Sequence, residues 1–172
     1  MTLMPQRWTT FFAAVVLVVA TAGVGTAQQV YIEEVRANAE QGDAHAQFVL
    51  GFGYEFGMVV AQDDAEAVRW YRLAAEQGNS SALFNLGAVY TNGQGVPQDD
   101  VQAYMWFNLA ASRSTGTERA NAVEYRDQFA NRLTPDQRAE AQRLAREWDE
   151  AHPLPPPTLF GQPLPMEWNP QP

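Results

Sequence analysis

The residue types that most often carry catalysis or bind metals are scarce in this sequence. It contains two histidines, His45 and His152, and no cysteine. A nucleophilic triad needs a histidine beside a positioned nucleophile, and a zinc site needs several histidine or cysteine ligands at close spacing. Two distant histidines meet neither requirement, and the lack of cysteine excludes thiolate chemistry and disulfides. We therefore predict no catalytic residue, no metal site and no cofactor.

Two pairs of adjacent carboxylates, Asp63-Asp64 and Asp99-Asp100, belong to the residue type that binds calcium or acts in acid catalysis. Each pair directly precedes a segment with helical periodicity, where an aspartate can accept hydrogen bonds from free backbone N–H groups. We interpret the pairs as helix caps. Calcium binding or acid catalysis is the alternative.

The elements that position these residues come from a repeat of thirty-six residues. Ala-Glu-Gln-Gly at 39–42 recurs at 75–78, and Leu50-Gly51 recurs as Leu86-Gly87, with no gap. In each copy apolar residues return every four positions on two successive segments, which predicts two helices. Such a helical hairpin cannot cover its apolar face alone, so neighbouring units must stack. Further pairs at this offset are Ala46 and Ala82, Phe48 and Phe84, Tyr54 and Tyr90, Trp70 and Trp106, and Tyr71 and Phe107.

Glycines and capping residues predict the boundaries of the units. Gly42 and Gly78 can adopt the left-handed conformation that ends a helix, and Asp43 and Asn79 can cap the helix that follows. We therefore expect one repeat at 43–78 and a second at 79–114.

The second repeat contains the motif Ala82-x-x-x-Leu86-Gly87-x-x-Tyr90-x-x-Gly93-x-Gly95-Val96-x-x-Asp99, which leads to Ala103-x-x-Trp106-Phe107-x-x-Ala110-Ala111. This motif resembles the Sel-one-like (Sel1) repeats, relatives of the tetratricopeptide repeats, and the resemblance extends over residues 43–111. It implies an all-α fold, a right-handed α-solenoid of helix-turn-helix units, and adaptor roles that are often at the cell envelope. The sequence departs from the family at Met58-Val59-Val60-Ala61, where a glycine and a proline are usual, and at Ser112-Arg113-Ser114, where the first repeat has Glu-Gln-Gly.

Segments on both sides of the repeats have the character of caps. Residues 28–42 predict an N-terminal capping helix, equivalent to half a repeat, and residues 115–152 predict C-terminal capping helices. Thr134 followed by Pro135 is a strong signal for the start of the last helix. Residues 153–172 contain eight prolines and predict a disordered tail without helix or sheet.

The N-terminus and the charge restrict location and partners. Residues 1–27 have an arginine, an apolar run and small residues near Ala27, as in a secretory signal peptide. We expect cleavage there, a periplasmic or secreted protein, and no stable membrane insertion afterwards; the alternative is an N-terminal membrane anchor. The net charge of −9 disfavours nucleic acid as a partner. The oligomeric state stays open.

An aromatic stripe on the first helix of the first repeat is the candidate binding site. Phe48, Phe52 and Phe56 recur every four residues, and Asn85 is expected at the edge of the same concave groove. The alternative is that neighbouring helices cover all three rings. A third possibility is that the proline-rich tail is itself the ligand, with apolar anchors at Leu154, Leu159, Phe160 and Trp168.

These observations favour a non-enzymatic scaffold or adaptor of the bacterial cell envelope that binds a protein or peptide. The competing hypothesis is a regulator of peptidoglycan or β-lactam chemistry, or an enzyme acting in it, because some exported relatives have been linked to that chemistry. The scarcity of histidine and the absence of cysteine weigh against catalysis.

Overall fold

The computed structural model describes residues 29–58 and 61–154, together with the backbone at 158–159 and 162–163. Seven α-helices make up most of this part of the chain, and the fold is all-α as predicted. They are α1 (residues 29–40), α2 (Ala44–Phe56), α3 (Asp64–Glu76), α4 (Ser80–Asn92), α5 (Asp100–Arg113), α6 (Gly116–Ala130) and α7 (Pro135–Ala151). None of these helices is long and apolar enough to span a bilayer.

The proline-rich tail corrects one expectation. Strand β1 (Thr158–Leu159) pairs antiparallel with β2 (Gln162–Pro163), so the prediction that this segment excludes sheet is wrong at these residues. An edge strand tolerates proline because only some of its N–H groups must donate. The predicted signal peptide at 1–27, Val59 and Val60, and the side chains of Leu159, Phe160 and Trp168 lie outside the described residues.

The helix caps recur with the repeat. Asp43 accepts a hydrogen bond from the Ala46 backbone N–H at 2.6 Å, and Asn79, thirty-six residues later, accepts one from the Ala82 N–H at 3.0 Å. The second helices begin in the same way, since Asp63 and Asp99 both accept from N–H groups of the first turn. The caps predicted from sequence at these four positions are confirmed.

Helix packing within each hairpin depends on a glycine. A Cβ atom on Gly51 would lie 2.8 Å from the Tyr71 ring, and one on Gly87 would lie 2.7 Å from the Phe107 ring. Both distances are shorter than van der Waals contact allows. Glycine therefore lets α2 approach α3, and α4 approach α5, at the same place in each repeat.

The turn before α5 connects consecutive repeats. Gly95 has a φ of +68°, and a Cβ on it would lie 2.4 Å from the Asp64 carbonyl oxygen at the start of α3. The turn of the second repeat thus packs its backbone directly against the backbone of the first. Only glycine fits, because both the conformation and the space exclude a side chain.

The buried core is unequal along the chain. The larger cluster belongs mainly to α3, α4 and α5 and continues into α6 and α7, with Leu83, Leu86 and Phe107 fully buried. A smaller cluster joins α1 to the first hairpin, where Val35 and Ala39 pack with Leu50 and other residues. The helix α1 therefore covers the open end of the first repeat.

The C-terminal helices close the other end. Thr134 and Gln137 form a reciprocal capping box at the start of α7, with Pro135 in the first turn, as the sequence predicted. The second repeat ends at Ser114 in an extended conformation, without the left-handed glycine that follows α3. The Arg113 guanidinium there bonds to Asp149 at 2.5 Å and to the His152 carbonyl oxygen at 2.6 Å, which fixes the end of α7.

Candidate functional site on the first-helix face

The three phenylalanines of α2 form a continuous ladder that becomes more exposed along the helix. The ring centroids of Phe48 and Phe52 are 6.3 Å apart, and those of Phe52 and Phe56 are 4.5 Å apart. Phe48 is half-buried against Tyr71, whereas Phe52 is 38% exposed and Phe56 is 58% exposed. The alternative that neighbouring helices cover all three rings is therefore wrong for the last two.

Beneath the ladder, a buried tyrosine links the two repeats by hydrogen bonds. The Tyr71 hydroxyl donates to Glu55 Oε2 at 2.5 Å and accepts from Asn85 Nδ2 at 2.9 Å. Burial of the ring and the adjacent Glu55 carboxylate raise the pKa of Tyr71 far above its ordinary value, so the hydroxyl keeps its proton. The amide of Asn85 is thereby fixed in orientation, with its nitrogen toward Tyr71.

A cleft of about 200 Å³ opens on the other side of Asn85. It lies between α4 and α6, above the end of α5, and combines hydroxyl, amide and carboxylate groups with an apolar floor. The Ser80 hydroxyl donates to Glu118 Oε2 at 3.3 Å across its rim. The lining residues are Ser80, Ser81, Phe84, Asn85, Ala110, Ser114, Glu118, Asn121 and Ala122.

We call the surface that contains the ladder and the cleft the first-helix face, because α2, α4 and α6 are the first helices of their units. Contacts connect it throughout: Phe48 packs on Tyr71, Tyr71 bonds to Asn85, and Asn85 lines the cleft. Its exposed or half-buried residues include Phe48, Phe52, Phe56, Phe84, Asn85, Glu118, Asn121 and Tyr125.

The first-helix face is poor in charge. Glu55 is the only formally charged residue in α2 and α4, and Glu118 is the only one that lines the cleft. Within the described part of the chain, neither carboxylate forms a salt bridge. Helix α6 also contains Arg119 and Arg126, neither of which lines the cleft. The helices α2 and α4 and the cleft therefore offer apolar rings and hydrogen-bond acceptors with a small negative charge.

The four predicted binding residues divide between two places. Phe48, Phe52 and Phe56 form the ladder, while Asn85 belongs to the hydrogen-bond network and the cleft. Sequence reasoning missed the cleft residues on α6. One signal was present, because the repeat offset from Asn85 reaches Asn121, and the structure brings both to the same cleft.

The histidines and paired aspartates contribute to structure. His45 lies near Phe48 with ring centroids 6.4 Å apart, whereas His152 stacks on Trp148 at the end of α7. Asp100 forms a salt bridge with Arg132 at 2.9 Å. Among the residues that the structure describes, no group of three or more potential ligands could hold a metal ion.

The repeat, its glycines and its caps agree with a known family. The Sel1 repeat profile matches the chain twice, at residues 44–79 and 80–114. Residues 44–114 are a pair of Sel1 repeats. Proteins of this family are generally non-catalytic scaffolds for protein–protein interaction, and the α-solenoid of Sel1 repeats is the fold found here.

Two solved structures are similar to this chain. One is c5321, a protective antigen present in uropathogenic Escherichia coli strains displaying an SLR fold, with 36% identity and a TM-score of 0.65 over 70% of this chain. The chain spans only 25% of c5321. The other is a Sel1 repeat protein from Oxalobacter formigenes, with 37% identity and a TM-score of 0.48, covering 48% of this chain and 63% of that one. No curated protein matches significantly.

Proposed function

We propose that this protein is a non-catalytic scaffold of the bacterial cell envelope that binds a partner protein or peptide along the first-helix face. The observation that carries the proposal is the pair of exposed rings at Phe52 and Phe56, which lie on the same first-helix face as a polar cleft. Exposed aromatic side chains beside polar groups are typical of the anchoring regions of protein interfaces. The curved groove expected from the resemblance would present both to one extended partner.

The envelope location rests on two arguments. The sequence of residues 1–27 has the pattern of a signal peptide for export. The similar protein c5321 is described as a protective antigen, and antibodies most readily reach proteins outside the cytoplasm. Fractionation of cells that express the tagged full chain tests this part, since cytosolic recovery without shortening of the chain would contradict it.

Replacement of one ladder residue tests the binding surface. We expect Phe52→Ser to abolish retention of the partner in a pull-down from envelope extract, analysed by quantitative mass spectrometry. Tyr31→Ser is the matched control, because Tyr31 is also an exposed aromatic residue. It belongs to α1, is 58% exposed and lies outside the first-helix face. Circular dichroism must show the same helix content in all proteins.

One outcome would contradict this proposal, and a second would require another variant. Partners retained equally by wild type and by the Phe52→Ser chain would remove the ladder from the binding site. Unfolding of Phe52→Ser would point to a core role, and Phe56→Ser, at the more exposed ring, then provides the second test of binding.

The tail gives the competing explanation for binding. Deletion of residues 155–172 leaves α7 and the first-helix face intact, so we expect the partner to be retained. Loss of the partner on deletion, with no effect of Phe52→Ser, would make the tail the ligand.

Catalysis is tested separately. We expect the purified full chain to release no product from peptidoglycan fragments or a chromogenic β-lactam. Turnover by the purified full chain would instead support the enzymatic hypothesis.

A further inference from the structure

The cleft between α4 and α6 has the composition of a site for one long polar side chain. Its floor is apolar, with the Phe84 ring and the side chains of Ala110 and Ala122. Its rim carries oxygen acceptors from the Glu118 carboxylate and from the amides of Asn85 and Asn121. The volume of about 200 Å³ is sufficient for the stem and head group of a single side chain.

The hydrogen bonds already made within the cleft leave acceptors available. Asn85 donates its nitrogen to Tyr71, which leaves its amide oxygen free for another donor. Glu118 receives one long hydrogen bond, from Ser80, and has no cationic partner among the described residues. A ligand group that enters the cleft is therefore favoured if it is a donor with positive charge.

The surroundings strengthen this preference. Glu55 lies near the ladder, and neither α2 nor α4 contains a lysine or arginine. Helix α6 contains Arg119 and Arg126, but neither lines the cleft, and Arg126 forms a salt bridge with Asp127. The full chain has a net charge of −9, which attracts a basic partner at long range.

We propose that the cleft accepts one arginine or lysine side chain of the bound partner, which also places an apolar side chain on Phe52 and Phe56. The positive head group pairs with Glu118 and donates to Asn85 and Asn121, while the aliphatic stem lies on Phe84. This inference rests on the proposed function, since both place the partner on the first-helix face. It adds the chemistry of the partner: a basic residue beside an apolar one.

A random dodecapeptide library displayed on phage, selected against the full chain, gives the first test. We expect enrichment of peptides with a lysine or arginine close to an aromatic or aliphatic residue. Selected sequences without a basic residue would overturn the inference, and so would a library that yields no binder.

Neutralisation of the single carboxylate in the cleft gives the second test. The enriched peptides are synthesised and their Kd is measured by fluorescence polarisation. We expect Glu118→Gln to weaken binding about tenfold, because a charge-assisted hydrogen bond becomes a neutral one. Glu124→Gln is the matched control: it is on the same helix, exposed, and outside the cleft, so its Kd should remain unchanged.

A double-mutant cycle tests whether Glu118 pairs directly with the basic residue of the peptide. Replacing the peptide arginine by the neutral isostere citrulline should weaken binding to wild type about as much as Glu118→Gln does, with little further loss when both changes are combined. Additive losses would overturn the pairing. Added salt should weaken the wild-type complex more than the Glu118→Gln complex.

The outcomes separate this inference from the function on which it rests. If peptide binding is lost in Phe52→Ser but is unaffected by Glu118→Gln, the first-helix face binds the partner and the basic-residue site is wrong. If neither substitution changes binding, both are wrong.

Discussion

The two Sel1 repeats share a backbone arrangement but differ in what they bury. Gln47 in the first repeat becomes Leu83 in the second, and Tyr71 becomes Phe107. Gln47 is buried because its amide donates to the Ala39 carbonyl oxygen at 3.1 Å and accepts from Gln77 at 2.8 Å. The equivalent positions of the second repeat make apolar contacts only. Helix spacing is therefore common to both repeats, whereas interior polarity is specific to each.

Neighbours explain the difference. The second repeat is covered on both sides, by α3 of the first repeat and by α6, so its interior is apolar. The first repeat has α1 on its open side and a smaller core. In the first repeat, hydrogen bonds between specific polar side chains therefore supplement the packing of the smaller apolar cluster.

Exchanging the residue types at Gln47 and Leu83 should give the largest effect on stability. We expect Leu83→Gln to lower the free energy of unfolding by about 4 kcal/mol, because it loses apolar burial and places an amide within the larger apolar cluster. The reverse change, Gln47→Leu, should cost about 1 kcal/mol. Urea denaturation measures both, and similar losses at the two sites would show that the repeats do not differ in this respect.

The shared helix spacing predicts equal effects in the two repeats. Gly51→Ala and Gly87→Ala should each lower the free energy of unfolding by about 2 kcal/mol, since the added methyl group overlaps an aromatic ring. At an unobstructed helix position the same change stabilises by about 1 kcal/mol. Thermal and urea unfolding check the sign, and stabilisation in either repeat would contradict the close approach.

Removal of one hydroxyl sharpens the comparison between Tyr71 and Phe107. We expect Tyr71→Phe to destabilise the chain by about 1.5 kcal/mol, because Glu55 and Asn85 each lose a buried partner. Tyr90→Phe is the control, as the Tyr90 hydroxyl bonds only to the exposed Arg72, and should cost less than about 0.5 kcal/mol. Equal losses for the two variants would argue against a structural role of the network.

The smallest expected effect is the pH dependence of stability that Tyr71 causes. The pKa of Tyr71 is raised in the folded chain above its ordinary value of 10.0, so its contribution to stability is complete below pH 10 and is lost as the pH rises above it. Above pH 10, the free energy of unfolding should fall by at most about 1.4 kcal/mol per pH unit. Urea titrations between pH 9 and 11 should show this slope in wild type, reduced in Tyr71→Phe; identical slopes would contradict the assignment.

The repeat itself was predictable from sequence, because each short signal recurs at a fixed offset and has a local cause. Asp43 and Asn79 cap helices, and Gly42 and Gly78 end them, whatever lies elsewhere in the chain. The exposure of Phe52 and Phe56 was harder to predict, since it depends on how far α1 and α4 extend over α2. The cleft joins residues from three helices, and only Asn85 and Asn121 share a repeat position.

The backbone contact at Gly95 has a consequence for the spacing of the two repeats. Because the turn of the second repeat rests on the main chain of the first, their separation at this point is set by backbone atoms. The surface side chains of the two repeats can then differ without moving this turn away from α3. The separation of the repeats at Gly95 thus stays the same while the surface residues around it change.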